Sequence, residues 1–363
     1  MAEVSREPIP FGNFQESGDH ELAGASPLAV NVVIDGKGAV RRRPGLATYS
    51  EAPSTAIDST GIVGLHASHD NGLYAVGAAR HIFRIDDGSA ADLSTDSERM
   101  LQGFERPVFA ENELAMLIAG GGSIQRLVLA TLQSSRLGAS STYAPPFATH
   151  VLANASRLLA NDLASASSGG RVRYSQPGLT DYDEWPSRYY FTAEARPDPV
   201  VAMGENTNEV WVFGSQTTQV FTPDPSIVYA TTGAVEYGCM AAYSVVKADQ
   251  RFAWLANGRR FMYSDGRTSD EISGPIASTL DSIMKVSDCF GYRVQSGFAD
   301  CLVWTFPTDK RSFCWQIGGG WSQWHGLDSL GAYPGTFPVT AHTARTSDAT
   351  EVVGLSSGRI CQI

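Results

Sequence analysis

The sequence contains no apolar run close to the roughly 20 residues that a membrane-spanning helix needs, so bilayer insertion is not expected. Cysteine is sparse: the five residues, at positions 239, 289, 301, 314 and 361, show no Cys-x-x-Cys spacing and no close pairing with histidine. The opening run, Met1 to Glu7, also lacks an apolar signal core. Together these features lead us to expect folding in a reducing cytoplasm, with the thiols acting as small buried hydrophobes. Positive charge is in deficit too, with 27 Lys and Arg against 38 Asp and Glu for a net charge of −11. That balance is the reverse of the basic footprint of a protein that grips nucleic acid by releasing counterions.

Turn residues and alternating apolar residues are abundant. The 36 Gly and 18 Pro are spread along the chain, and a hydrophobic content of 43% supports a large core, so the chain reads as folded rather than disordered. Glu209 to Phe221, Glu-Val-Trp-Val-Phe-Gly-Ser-Gln-Thr-Thr-Gln-Val-Phe, is two alternating strands around a short polar turn, which is a hairpin pattern. Similar hairpins begin at residues 73, 114, 158, 252, 301 and 351, and the steps between successive starts run from 41 to 51 residues. A strand-only repeat of roughly 40–50 residues is the period of a propeller blade. The fold class expected is therefore all-β, a β-propeller of six or seven blades with seven favoured.

Around this repeat, residues 1–28 read as an extended N-terminal arm and 29–363 as the propeller. The last repeat offers three strands, at Val339 to Thr343, Glu351 to Leu355 and Arg359 to Ile363. A hairpin spanning Val30 to Leu46 is expected to supply its missing edge and close the ring. Pro223 to Gly238 reads as an insertion. Gly274 to Lys285 is the one convincing helix, with Ile276, Leu280, Ile283 and Met284 as its packing stripe.

Catalytic patterns are thin. Gly354 to Gly358 spells Gly-x-Ser-x-Gly, but a nucleophile elbow needs a following helix with a downstream acid and histidine, and only five residues follow. Gly120-Gly121-Gly122 lies between strands and reads as a turn, not as a phosphate cradle. Ser264-Asp265-Gly266 comes nearest to the Asp-box turn of propeller glycosidases, with the wrong spacing and no Trp. His66, His69 and His81 do not fall on one face, and no carboxylate recurs at a ligand spacing. Asp86-Asp87 and the group Asp181, Asp183 and Glu184 sit in turns, where solvated acids are ordinary. No enzyme activity, metal or cofactor is expected.

Three motifs occur in order: Asn31 with Gly36 to Gly45 (Gly-Lys-Gly-Ala-Val-Arg-Arg-Arg-Pro-Gly), Arg171 to Gly178 (Arg-Val-Arg-Tyr-Ser-Gln-Pro-Gly) ahead of Trp185, and Glu209 to Phe221. Their combination resembles the tail-hub, or packaged-DNA stabilisation and tail-nozzle, family of short-tailed bacteriophages over roughly residues 28 to 363. The resemblance implies a non-enzymatic virion tail protein, made and assembled in the host cytoplasm, that forms a homo-oligomeric, hexameric ring. It further implies that the ring extends the DNA channel below the portal and adaptor, helps retain packaged DNA and guides its ejection. The implied partners are further copies of the chain, the adaptor and portal-side ring, tail fibre or needle proteins, and DNA passing without specific binding. Phe11, Phe14, Arg41, Arg42, Arg43, Tyr182 and Trp185 are the candidate assembly contacts by position. A propeller glycosidase or carbohydrate-binding protein acting on surface glycan is the alternative.

Overall fold

The computed structural model describes residues 29–34, 40–94, 101–103, 105–138, 143–163, 170–178, 184–196, 198–297, 299–326, 335–345 and 347–363. These form seven antiparallel blades around one axis. The hairpins read from the alternation are the middle two strands of each blade. In the fourth, Glu209–Gly214 pairs with Thr218–Asp224, Val210 opposite Phe221 and Trp211 opposite Val220. The first strands of the blades, among them Ile62–Ala67, Val108–Glu111, Phe290–Ser296 and Val339–Ala344, line the axis. In three blades the first strand carries a bulge two residues in, at Ile62/Gly64, Val200/Ala202 and Val339/Ala341. A bulge adds local twist, which suits strands crowded around an axis.

Among the described residues there is no single core. Seven clusters of buried side chains lie one between each pair of neighbouring blades, including the seventh and the first, so the ring is continuous. Alternation explains this arrangement, because each blade has two faces and both are covered by a neighbour. Aromatics fill the wedge between blades five and six. Phe261 of blade five lies 4.3 Å from Trp304 of blade six between ring centroids, and both are 0% exposed.

The ring is closed by a different segment from the expected hairpin. Val32–Ile34 and Val40–Arg42 pair with each other as a separate two-stranded sheet, so their backbone groups are already satisfied. Pro44 and Gly45 end that pairing, and the next residues, Ala47–Thr48, pair with Gln362 and Cys361 as the fourth strand of blade seven. Ala29–Val30 adds to blade six as a fifth, parallel strand beside Ser322 and Gln323. Between these two attachments lies a knot. The Asn31 Oδ1 accepts from His325 N at 2.8 Å and Arg43 Nε at 2.9 Å, and Arg43 Nη2 donates to the His325 carbonyl at 3.0 Å. The expected arm at 1–28 lies outside the described residues.

Two further expectations are corrected. Pro223 to Gly238 is mostly strand: Val228–Val235 is the outer strand of blade four, paired with Thr218–Asp224. A bulge at Val220/Phe221 shifts its alternation, and Asp224 caps the tight turn through Ser226 N at 2.7 Å, which together made the segment read as irregular. The helix is also shorter, a 3-10 turn at Gly274–Ile276 running into Ala277–Asp281. Ile276, Leu280 and Ile283 are buried against blades five and six, but Met284 lies past the helix end and is 77% exposed.

Candidate functional site

The bulged first strands leave an axial cavity of about 390 Å³. At about 30 Å³ of liquid volume per water this is room for roughly a dozen waters, and a duplex whose major groove alone is about 12 Å wide cannot thread it.

Arg106 crosses this axis. It precedes the first strand of blade two, and its Nη1 donates to the Thr340 carbonyl of blade seven at 2.6 Å and the Val63 carbonyl of blade one at 3.1 Å. Its guanidinium carbon sits 3.7 Å from the centre of the Phe290 ring of blade six. One side chain thus ties four blades. Burial pushes its pKa down to about 10, still cationic at neutral pH. Among the described residues no carboxylate forms an ion pair with it. Burying such a cation costs several kcal/mol, of which the carbonyl bonds offset about 1.5–3 each and the ring face about 2.

Histidines join the other blades. His150 of blade three is fully buried, donates from Nε2 to the Ala242 carbonyl at 3.1 Å and stacks on Tyr243 at 5.5 Å, so desolvation holds its pKa down to about 4. His342 bonds Glu351 within blade seven and stacks on Tyr292 of blade six at 5.2 Å. The Glu351 carboxylate also accepts from Gln295 N of blade six at 3.0 Å.

His66 and His69 both lie against Glu111 of the next blade, at 3.3 and 3.5 Å, which the sequence reading had not connected. Burial pushes the Glu111 pKa up, but the polar contacts of His66 and Ser68 and the His69 amide outweigh it and hold the carboxyl down to about 2. His81 is apart, paired with Asp92 at 2.7 Å. Among the described residues no three His, Cys, Asp or Glu stand where they could hold a metal ion. The five cysteines are unpaired, and four of them are buried.

A second cavity, of about 240 Å³, lies on the rim and is lined by Asn112, Asn154, Arg157, Glu205 and Asn208 among others. Among the described residues no aromatic ring lines it to serve as a platform for a sugar. The Gly354 to Gly358 motif runs through the turn between Glu351–Leu355 and Ile360–Gln362.

The assembly candidates separate. Arg41 and Arg42 are exposed on the edge of the small hairpin. Arg43 is committed to the internal knot and lies 4.7 Å from the centre of the Phe337 ring. Trp185 is 0% exposed between blades two and three, so the expectation that it anchors a partner on the rim is corrected: the wedge it fills leaves no face for one. Phe11, Phe14 and Tyr182 lie outside the described residues. The structure also exposes Tyr143, Phe147, Leu163 and Tyr190 of blade three, by 49, 56, 40 and 43%. Leu163 N donates to the Phe147 carbonyl at 3.0 Å, which puts these two side by side. Pro145 and Pro146, just ahead of Phe147, mark a loop in the sequence without showing that its side chains are exposed.

No curated protein matches the sequence. Among solved structures, the extracellular domain of the one-component system protein BT4673 from B. thetaiotaomicron aligns with a TM-score of 0.53 at 9% identity, over 87% of this chain and 39% of that one. The WD40 β-propeller domain of Doa1 aligns with a TM-score of 0.51 at 10% identity, over 88% of this chain and 96% of that one. Both share the propeller fold and carry nothing about function at such identities. Residues 178–278 match the phage stabilisation family model described as bacteriophage P22 Gp10, beta-propeller. Over that segment the resemblance drawn from the sequence motifs is shown, and the chain is similar to a structural protein of the phage tail, the tail-hub or packaged-DNA stabilisation family.

Proposed function

We propose that this chain is the ring-forming hub subunit of a short-tailed phage, built into the virion tail as a hexamer below the portal and adaptor. There it prolongs the DNA channel, helps retain the packaged genome and guides ejection. The observation that carries the reading is the match of residues 178–278 to the P22 Gp10 family model.

On this reading the genome passes beside the propeller, through the lumen enclosed by several copies; what supports that route is that Arg106 and its partners occupy the propeller's own axis. A net charge of −11 gives that wall little of the counterion-release affinity that would hold DNA in transit. The buried polar groups on the axis tie blades to one another, which is a structural role and not a catalytic one. Arg41, Arg42, Phe11, Phe14 and Tyr182 are the proposed contacts with neighbouring subunits or the adaptor.

Particles assembled without this protein test the role. They should package DNA and then lose it, and adding the purified chain back should restore retention. Particles that keep their genome and infect normally without it would overturn the reading.

A further inference from the structure

We propose that the axial cavity is a binding site for a small inorganic oxyanion of the phosphate or sulfate class, with Arg106 as its counter-charge. The inference stands on the cavity alone and is independent of the tail-hub reading.

The cavity wall is unusual in sign. It carries the Arg106 guanidinium, three histidines (His66, His150 and His342) and Thr340 and Thr343, and among the described residues no Asp or Glu lines it. A buried cation is ordinarily paired with a carboxylate. Here Arg106 spends Nη1 on two carbonyls and one face on Phe290, and its other N–H groups have no acceptor among the described residues. The nearest acid in sequence, Glu105, lines a neighbouring cavity of about 230 Å³ between blades one and two, which Arg106 lines as well, and among the described residues it makes no ion pair with Arg106.

A second buried donor stands close by. The Tyr243 hydroxyl has no aligned hydrogen-bond partner, lies beside the Arg106 backbone amide and is near enough to feel the charges of both Glu105 and Arg106. Tyr243 also lines the cavity. Free guanidinium N–H groups form a planar fork suited to two oxygens of one oxyanion, and a phenolic O–H can donate to a third. The volume accommodates such an ion together with several waters. A bound oxyanion would complete the coordination of the residue that joins blades one, two, six and seven.

The test is calorimetric titration of the intact chain with inorganic phosphate at constant pH, ionic strength being held with potassium chloride, together with thermal melting over the same low-millimolar range. Low concentrations matter because phosphate at high concentration stabilises proteins non-specifically. Saturable one-site binding is expected, with a melting temperature that rises along the same isotherm. Arg106→Met should abolish both, and Tyr243→Phe should keep the fold and weaken binding by roughly tenfold, the value of one hydrogen bond of about 1.4 kcal/mol. If Arg106→Met fails to fold, Tyr243→Phe and the wild-type titration decide. Absence of saturable binding to the wild-type chain, or binding unchanged by Tyr243→Phe, would overturn the proposal.

Discussion

Thr48 stands opposite Cys361 in an antiparallel pair, so the final blade is completed from the start of the described chain. The residue after it, Tyr49, is 3% exposed in the wedge between blades seven and one and accepts a hydrogen bond from Arg345, which also holds Glu51 at 2.7 Å. The joint therefore combines backbone pairing, a buried ring and a charged clasp. Tyr49→Ala should cost about 3–5 kcal/mol by loss of burial and cavity formation. Arg43→Ala, which leaves Asn31 and His325 without their shared partner, should cost about 2–3 kcal/mol. Urea unfolding of both variants checks the order; a Tyr49→Ala protein as stable as wild type would mean that this joint does not close the ring.

Two glycines are locked against acids at matching places in blades one and four. A Cβ on Gly77 would collide with the Asp58 carboxylate, and one on Gly214 with that of Asp198. The Asp198 Oδ2 accepts from Gln216 N at 2.5 Å and Thr217 N at 3.2 Å, fixing the turn. Gly214→Ala should therefore cost roughly 2 kcal/mol or more, through overpacking against a bonded carboxylate. Gly274→Ala, with nothing within 4 Å of the new methyl, is the control and should change stability by less than about 0.5 kcal/mol. Equal melting of the two variants would refute the lock.

Acid should weaken the fold in two stages. His150 titrates near 6.5 unfolded and is held down to about 4 when folded, so the unfolded chain binds the extra proton between those values. Stability is complete above pH 6.5 and falls as pH drops toward 4, by roughly 3 kcal/mol for this group. Glu111 is shifted from 4.5 to about 2, so its contribution is present above pH 4.5 and is lost as pH falls toward 2. Partly exposed and screened, it is worth on the order of 1–2 kcal/mol. In chemical denaturation across pH, His150→Gln should flatten the upper stage and leave the lower one. A wild-type profile flat between pH 6.5 and 4 would contradict the buried neutral imidazole.

Surface charge on the small hairpin should matter for assembly and not for folding. Arg42 is exposed, so Arg42→Glu should shift stability by less than about 0.5 kcal/mol. If the hairpin meets a neighbouring subunit, the same change should lower the ring fraction in sedimentation. A ring fraction equal to wild type would remove Arg42 from the contact set.

The blades were legible because both faces of each are covered and the middle hairpins are tight. Val210 to Phe213 and their counterparts, buried on both faces, therefore read as short apolar runs between polar turns. What stayed hidden follows from local irregularity. Val228–Val235 was masked by a bulge and a proline, and Ala47–Thr48 is too short a strand to carry a period. Met284 continued the helical spacing after the helix had ended. The axial site was not legible either. Arg106 precedes a strand, and its partners are backbone carbonyls of residues 63 and 340, which no spacing pattern links. Trp185 sits in a polar, turn-rich stretch that reads as surface loop, yet its side chain fills a wedge between blades.

Cryo-electron microscopy of the virion tail tests the central claim most directly. The account predicts six copies of this propeller in a ring below the adaptor, with DNA density in the ring's lumen and none along any propeller axis. Tails without the propeller, or DNA threading a propeller through the position of Arg106, would contradict it.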